Sequence, residues 1–285
     1  SIGDGAGTGG FGAIAIGNAA AAGAGAGTIV IGNKAYALAG TNQIVLGNVA
    51  SATGTSTISI GDNTVASAKG AISVGSETTA NGEDSLAMVQ AVASGAESIA
   101  IGNSTNSTAA KAVAIGPSAK AIGVESIVIG SGAAAQSLSA IAVGTSSNAD
   151  AANSIVMGRS AFAGSTNASA YGTSSKATAD GALAIGTSSN AAGSFSIALG
   201  QSSKANASSS VAFGVGSNAA NISALALGTR SLALGNYSTA LGYESNAGGV
   251  SAMALGNSSN ASGYFSTAIG VKSFASDDYA IAVGL

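Results

Sequence analysis

The stretch that decides the fold is residues 139–144, which read SAIAVG. Two large apolar residues, Ile141 and Val143, flank a small one and are followed by a glycine. The pattern stands fourteen residues earlier in residues 127–130 (IVIG) and fourteen residues later in residues 155–158 (IVMG). A spacing this regular is the signature of a repeat architecture, so we take the repeat as the unit of the fold.

The glycine that closes the pattern recurs along nearly the whole chain. From Gly102 to Gly228 it returns at nine consecutive intervals of fourteen. This period is too short for helical repeats of the ankyrin or tetratricopeptide type, whose units are more than twice as long. We therefore treat residues 1–285 as a single domain of repeated coils.

Three segments depart from the period. Intervals of fifteen near the start suggest an irregular segment over 18–31. Val89 stands where a glycine is due, within a second irregular segment over 76–98. Two intervals of seven predict compressed repeats over 228–242.

Each repeat is predicted to contain two strands. Ile141 and Val143 lie two residues apart, so they share one strand face while Ala142 points to the other. Five residues after the glycine comes an alanine such as Ala149, preceded by a variable residue such as Asn148. A constant small residue beside a variable polar one indicates an inward and an outward position. The sequence thus predicts an all-β stack of two-strand, fourteen-residue coils forming a rod.

The strand of Ile141, Ala142 and Val143 is apolar on both faces. One face can line the inside of the coil, and the other then needs cover from outside, because strands apolar on both faces are normally buried on both. The sequence leaves open which face is which. We expect an oligomer rather than a monomer, since so thin a core is marginal alone.

The pattern of two large apolar residues around a small one, followed by glycine, occurs around twenty times in register. In this the chain resembles the head of the trimeric autotransporter adhesins, the YadA-like head family. Examples are SIAIG at residues 98–102, SIALG at 196–200 and SVAFG at 210–214, and the resemblance runs from about Ala13 to Gly284. It implies a left-handed parallel β-roll (a solenoid) in which three identical chains share an apolar axis as a homotrimer. It also implies a place on the outer surface of a Gram-negative bacterium and attachment to host matrix, cells, abiotic surfaces or other bacteria. A neck, stalk and membrane anchor are expected beyond Leu285.

Composition argues against catalysis. The chain has no Cys and no His, which excludes Ser-His-Asp and Cys-His nucleophiles and Cys-ligated zinc within it. The adjacent acids Glu83 and Asp84, and Asp277 and Asp278, are interpreted as solvated turn charges, with a glycosidase carboxylate pair as the alternative. We expect no cofactor and no metal. The net charge of −3 predicts no nucleic-acid partner, and no segment predicts insertion into a membrane.

Two sets of outward positions are candidate contacts. Asn and Lys recur beside the inward alanine and should form a polar stripe, either for solubility or as a multivalent contact surface. Large rings on a surface of small residues are candidate contacts with a ligand, or else they pack into grooves between chains. The ring candidates are Phe162, Phe195, Phe265, Phe274 and Tyr279.

The sequence therefore predicts a non-enzymatic adhesive head. The alternative is a structural spacer or fibre segment, with binding located elsewhere. An ice-binding solenoid ranks lower, because the positions after each glycine are mostly Ser and Ala, as at Ser188 and Ser189, rather than a rank of threonines.

Overall fold

The computed structural model describes residues 1–284, and within them it contains strands and turns but no helix. Consequently no helix in this part of the chain is long and apolar enough to cross a membrane. The contacts divide the chain into two compact units, Ser1–Ala140 and Ile141–Leu285. In both units each coil has one three-residue strand, here called the long strand, and one two-residue strand, here called the short strand.

The strands follow one another with little variation in length. In the first unit the long strands are Ile14–Ile16, Ile29–Ile31, Ile44–Leu46, Ile58–Ile60, Ile72–Val74, Leu86–Met88, Ile99–Ile101, Val113–Ile115 and Ile127–Ile129. Its short strands are Gly7–Thr8, Ala21–Ala22, Tyr36–Ala37, Ser51–Ala52, Val65–Ala66, Thr79–Ala80, Val92–Ala93, Asn106–Ser107, Lys120–Ala121 and Ala134–Ala135. In the second unit the long strands are Ile141–Val143, Ile155–Met157, Ser169–Tyr171, Leu183–Ile185, Ile197–Leu199, Val211–Phe213, Leu225–Leu227, Thr239–Leu241, Met253–Leu255, Thr267–Ile269 and Ile281–Val283. Its short strands are Asn148–Ala149, Phe162–Ala163, Lys176–Ala177, Asn190–Ala191, Lys204–Ala205, Asn218–Ala219, Leu232–Ala233, Asn246–Ala247, Asn260–Ala261 and Phe274–Ala275.

Each strand pairs in parallel with the equivalent strand of the next coil. Ile141 is the register partner of Ile155, and Asn148 that of Phe162, both one period apart. The Ile141 amide donates to the Ser154 carbonyl at 2.9 Å, and the same pattern is repeated coil after coil. The prediction of an all-β solenoid of two-strand coils is confirmed. The left-handed sense and the trimer remain predictions.

The inside of each coil holds four side chains, most of them small, and Gln43 is the largest that is fully buried. In the coil that starts at Gly144 they are Ser147, Ala149, Ser154 and Val156, and all four are buried. The two serine hydroxyls donate to carbonyls three residues earlier, so each fastens its own turn. The interior is therefore too flat for most large side chains, and in this coil both buried hydroxyls are satisfied within their own turns.

The long strands place their large side chains outward. Ala142 is fully buried, whereas Ile141 and Val143 on either side of it are partly exposed. The question that the sequence left open is thus answered, because the small central residue faces the flat interior. The apolar face that needs cover is the outer one.

The repeating glycine is required by both conformation and space. Gly144 has a φ of +126°, a region that other residues rarely adopt. A Cβ at this position would lie 2.7 Å from the carbonyl carbon and oxygen of Gly158 in the next coil. Because most of these glycines lie over the equivalent glycine of the next coil, a side chain at Gly144 would push two coils apart.

The segments outside the period are accommodated in turns. We call the turn from long to short strand the first turn, and the turn from short to long strand the second turn. In the coil from Gly17 to Gly32, the second turn runs over residues 23–28, one residue longer than its counterpart at 150–154. At Val89 the first turn is one residue shorter, and both Val89 and Gln90 have positive φ.

Residues 228–242 do not hold compressed repeats. They form one coil of ordinary length, with the short strand Leu232–Ala233 and the long strand Thr239–Leu241. The interval of seven arises because the short strand and its neighbour Leu234 carry the apolar pattern that normally marks a long strand. Gly235 therefore belongs to the second turn and does not begin a new coil.

Candidate functional surfaces

The outer face of the short strands is mostly polar in the second unit. Lys176 is in register with Asn190, Asn190 with Lys204, and Lys204 with Asn218. Both lysines are exposed, while the alanine that follows each of them is buried. The predicted polar stripe is present as a structural feature, because these residues follow one another in register at the parallel-strand spacing of about 4.8 Å.

The outer face of the long strands is apolar. Large side chains on this face keep a substantial exposed fraction, for example 43% at Ile129 in the first unit and 48% at Met157 in the second. Coil after coil adds two such positions to the same face, as at Leu183 and Ile185, and Ile185 is in register with Leu199 of the next coil. A contiguous apolar surface of this kind marks an interaction site rather than an ordinary protein surface.

The five aromatic candidates do not form one site. Phe162 and Phe274 lie on the short-strand face, at nearly opposite ends of the second unit. The Phe162 ring is partly buried because it lies over Gly164, where a Cβ would be 2.6 Å from the ring. Phe195 lies in a second turn, with its ring against Gly181 of the preceding coil.

The two remaining candidates come together. Phe265 and Tyr279 occupy the same position of consecutive second turns, and their rings stack with centroids 5.7 Å apart and planes 7° apart. Tyr264 packs edge-on against both, with centroid distances of 4.3 Å to Phe265 and 6.0 Å to Tyr279. We call these three residues the aromatic cluster.

Sequence reasoning missed Tyr264. It precedes Phe265 in the turn, and it lies one period before Asp278. Alignment of the turns at the period of the repeat would have placed Tyr264 beside Asp278 and Phe265 beside Tyr279. The sequence alone could therefore have shown that Tyr264 is a neighbour of the two rings, but not how the rings are oriented.

The acidic pairs lie in second turns and their side chains are exposed. Asp278 Oδ1 accepts a hydrogen bond of 2.9 Å from the Tyr264 amide, which brings the carboxylate to the aromatic cluster. Glu83 instead forms an ion pair of 3.1 Å with Lys69. The hydrogen bond to Glu83 is the largest cause that raises the pKa of the Lys69 ammonium group.

Another cluster of charged side chains lies in the first turns of the second unit. Arg230 Nη1 is 3.1 Å from Glu244 Oε1 and 3.3 Å from the Tyr243 hydroxyl. The Tyr243 hydroxyl and the Arg230 guanidinium lower the pKa of the Glu244 carboxyl. These groups are exposed, so they are ordinary surface pairs rather than a reactive centre.

The described chain offers no enclosed site. Residues 1–284 form no detectable pocket, and they bring together no group of three or more Asp or Glu side chains that could hold a metal ion. What the structure provides is therefore a set of open faces: one apolar, one polar, and one edge that carries the aromatic cluster.

The family model described as the YadA head domain repeat matches successive segments of the chain between residues 52 and 285. Among solved structures, a similar one is the collagen-binding domain of the Yersinia adhesin YadA, with 18% sequence identity. The alignment covers 83% of this chain and 70% of that chain, with a TM-score of 0.16. Comparison with the curated proteins returns no match.

The family assignment depends on the matches to the repeat model. They begin at residue 52, continue through both units, and cover well over half of the chain. They also follow the period seen in the strands, since successive matches in the second unit start two periods apart, at 163, 191 and 219. The chain belongs to the family of YadA head domain repeats found in adhesins.

Proposed function

We propose that this chain is the non-enzymatic head of a surface adhesin of a Gram-negative bacterium, assembled as a homotrimer. The outer face of the long strands meets the two identical chains. The short-strand face and the second turns remain outside and contact host matrix, cells, abiotic surfaces or other bacteria. Membership of the head-repeat family supports the adhesin part of this proposal.

One observation carries the assignment of faces. Most coils bury small side chains and leave large apolar ones at least partly exposed, as at Ala184 and Ile185. This reverses the ordinary preference, in which large apolar residues are buried first. The reversal is explained if the exposed residues are the core of an assembly in which each chain contributes one apolar face.

The fold does not identify the ligand of the head, so a binding assay has to identify it. The YadA domain that this chain resembles is described as collagen-binding, so collagen is the first ligand to try. Purified chain is applied to collagen, to other matrix proteins and to plastic, with an albumin-coated surface as control. Retention on at least one target and not on albumin is the expected result.

The main alternative is a spacer that holds another domain away from the cell. The regularity of the coils favours it, since a long series of similar repeats is also what a fibre needs. A spacer would bind none of the targets. If the same chain were fused to a known binding domain, that domain would still bind its own ligand. Absence of retention on every target would therefore replace the adhesive proposal with the spacer.

A further inference from the structure

We propose that the second turns holding the aromatic cluster, together with Asp277 and Asp278, bind the cationic side chain of an extended polypeptide. An arginine fits best, with lysine as the weaker ligand. This inference rests on the proposed attachment function and names the chemistry of one contact within it.

The aromatic cluster offers ring surface to a partner. Phe265 and Tyr279 are 46% and 69% exposed, and Tyr264 is 42% exposed. Their contacts with one another fix the ring orientations, so little conformational entropy is lost when a ligand binds. A cation within about 6 Å of such a ring is attracted by its quadrupole.

The two carboxylates set the charge of the partner. Asp278 is anchored by the Tyr264 amide, and Asp277 receives a hydrogen bond of 3.5 Å from Ser276. The ion pairs found among residues 1–284 join Lys69 to Glu83 and Arg230 to Glu244, so neither involves these aspartates. The edge therefore carries uncompensated negative charge beside exposed rings, which is complementary to a cation and unfavourable for an anion.

A guanidinium group matches both features at once. Its planar face stacks on an aromatic ring, its N–H groups reach a carboxylate, and it is less strongly hydrated than an ammonium group. A bare metal ion matches only one of them, because aromatic rings contribute nothing to the oxygen ligands that hard cations need. A polypeptide partner is favoured because arginine and aromatic residues are both enriched in protein interfaces.

The chain contains a matched control residue. Tyr237 occupies the same position of a second turn with φ of +58°, and it is 62% exposed. Its turn carries Asn236 where the cluster carries Asp278. Serine is compatible with this position, since Ser251 adopts it with φ of +54°. Replacement by serine should therefore remove a ring without disturbing the turn.

The test uses immobilised peptides of repeated Gly-Pro-Arg, with Gly-Pro-Gln and Gly-Pro-Glu repeats as matched surfaces. The 285-residue chain is passed over them, and retention is recorded by interferometry. We expect retention on the arginine peptide, weaker retention on the glutamine peptide and none on the glutamate peptide. Loss of two rings (Phe265→Ser with Tyr279→Ser) or of both charges (Asp277→Asn with Asp278→Asn) should weaken binding at least about fivefold.

The control variant Tyr237→Ser should stay close to the parent, and circular dichroism should show every variant folded. Equal retention on arginine and glutamine peptides would overturn the inference, as would an equal loss in Tyr237→Ser. A lower sedimentation mass for the ring variants would also overturn it, because the cluster would then lie between copies of the chain.

Attachment of the parent chain to collagen, to the other matrix proteins and to plastic is measured alongside. If attachment persists while the arginine peptide is not retained, the inference fails and the proposed function stands. If the parent chain attaches neither to any of the matrix proteins nor to plastic and retains no peptide, both fail.

Discussion

At the scale of single residues, glycine and alanine take the place that large side chains have in most folds. The first-turn glycines are constrained by a positive φ and by the glycine of the adjacent coil. The inward alanines are constrained by a flat interior. In this chain the small residues specify the structure, while most large residues face outward.

Gly144→Ala should destabilise the second unit. The new Cβ would meet the Gly158 carbonyl at 2.7 Å, and the residue would have to keep a φ of +126°. We expect a loss of at least about 1–3 kcal/mol, the usual cost of such backbone strain. Thermal unfolding followed by circular dichroism measures it. Thr145→Ala, an exposed change in the same turn, is the control, and equal shifts for the two variants would contradict this explanation.

Val89→Asn should stabilise the first unit. Val89 has a φ of +62° and is 53% exposed, so the substitution relieves strain and loses little burial. A β-branched residue at positive φ is a true outlier, whereas asparagine tolerates this region. We expect a gain of about 1 kcal/mol, from the cost of the left-handed conformation. Urea unfolding tests it, and a lower midpoint for Val89→Asn would refute the strain interpretation.

At the scale of elements, each short strand separates an outward position from an inward one. Lys204 and Ala205 are neighbours in one short strand, the first exposed and the second fully buried. Leucine occurs naturally at the outward position, as Leu232 shows. The same substitution can therefore be made on both faces of one strand.

Ala205→Leu should be far more damaging than Lys204→Leu. Overpacking a filled interior costs about 1–3 kcal/mol or more, and a single coil has only four inward side chains to adjust. Lys204→Leu should leave the unfolding temperature nearly unchanged. If Ala205→Leu were equally well tolerated, the interior would not be as closely packed as the structure indicates.

The elements also show what sequence could and could not predict. The repeating glycine located the strands and turns, because its conformation is local. It could not decide the orientation of Ile141 and Val143, since both faces of that strand are apolar. At residues 228–242 the pattern predicted too many coils, because Leu232 and Leu234 imitate a long strand.

The candidate contacts were predicted with similar limits. Exposed rings were identified from their positions in the repeat, and Phe265 and Tyr279 lie together in the structure. Tyr264 and the anchored Asp278 were not recognised as their neighbours, because the second turns were not aligned at the period that separates these two residues. The contact role of all five predicted rings stays a prediction.

At the scale of the whole molecule, the central claim is that the apolar outer face of the long strands is covered by identical chains. Charges placed on that face should prevent assembly, since they would be buried without partners. Ile185 and Leu199 are register neighbours on it. Asn190 lies on the polar face, where lysine already occupies the adjacent coils at Lys176 and Lys204.

Sedimentation equilibrium of the native chain is the most direct measurement. A mass near three times 26.4 kDa is predicted for the parent and for Asn190→Lys, and a lower mass for the double variant Ile185→Lys with Leu199→Lys. A parent mass of 26.4 kDa would contradict the claim, and so would a mass for the double variant that equals that of the parent.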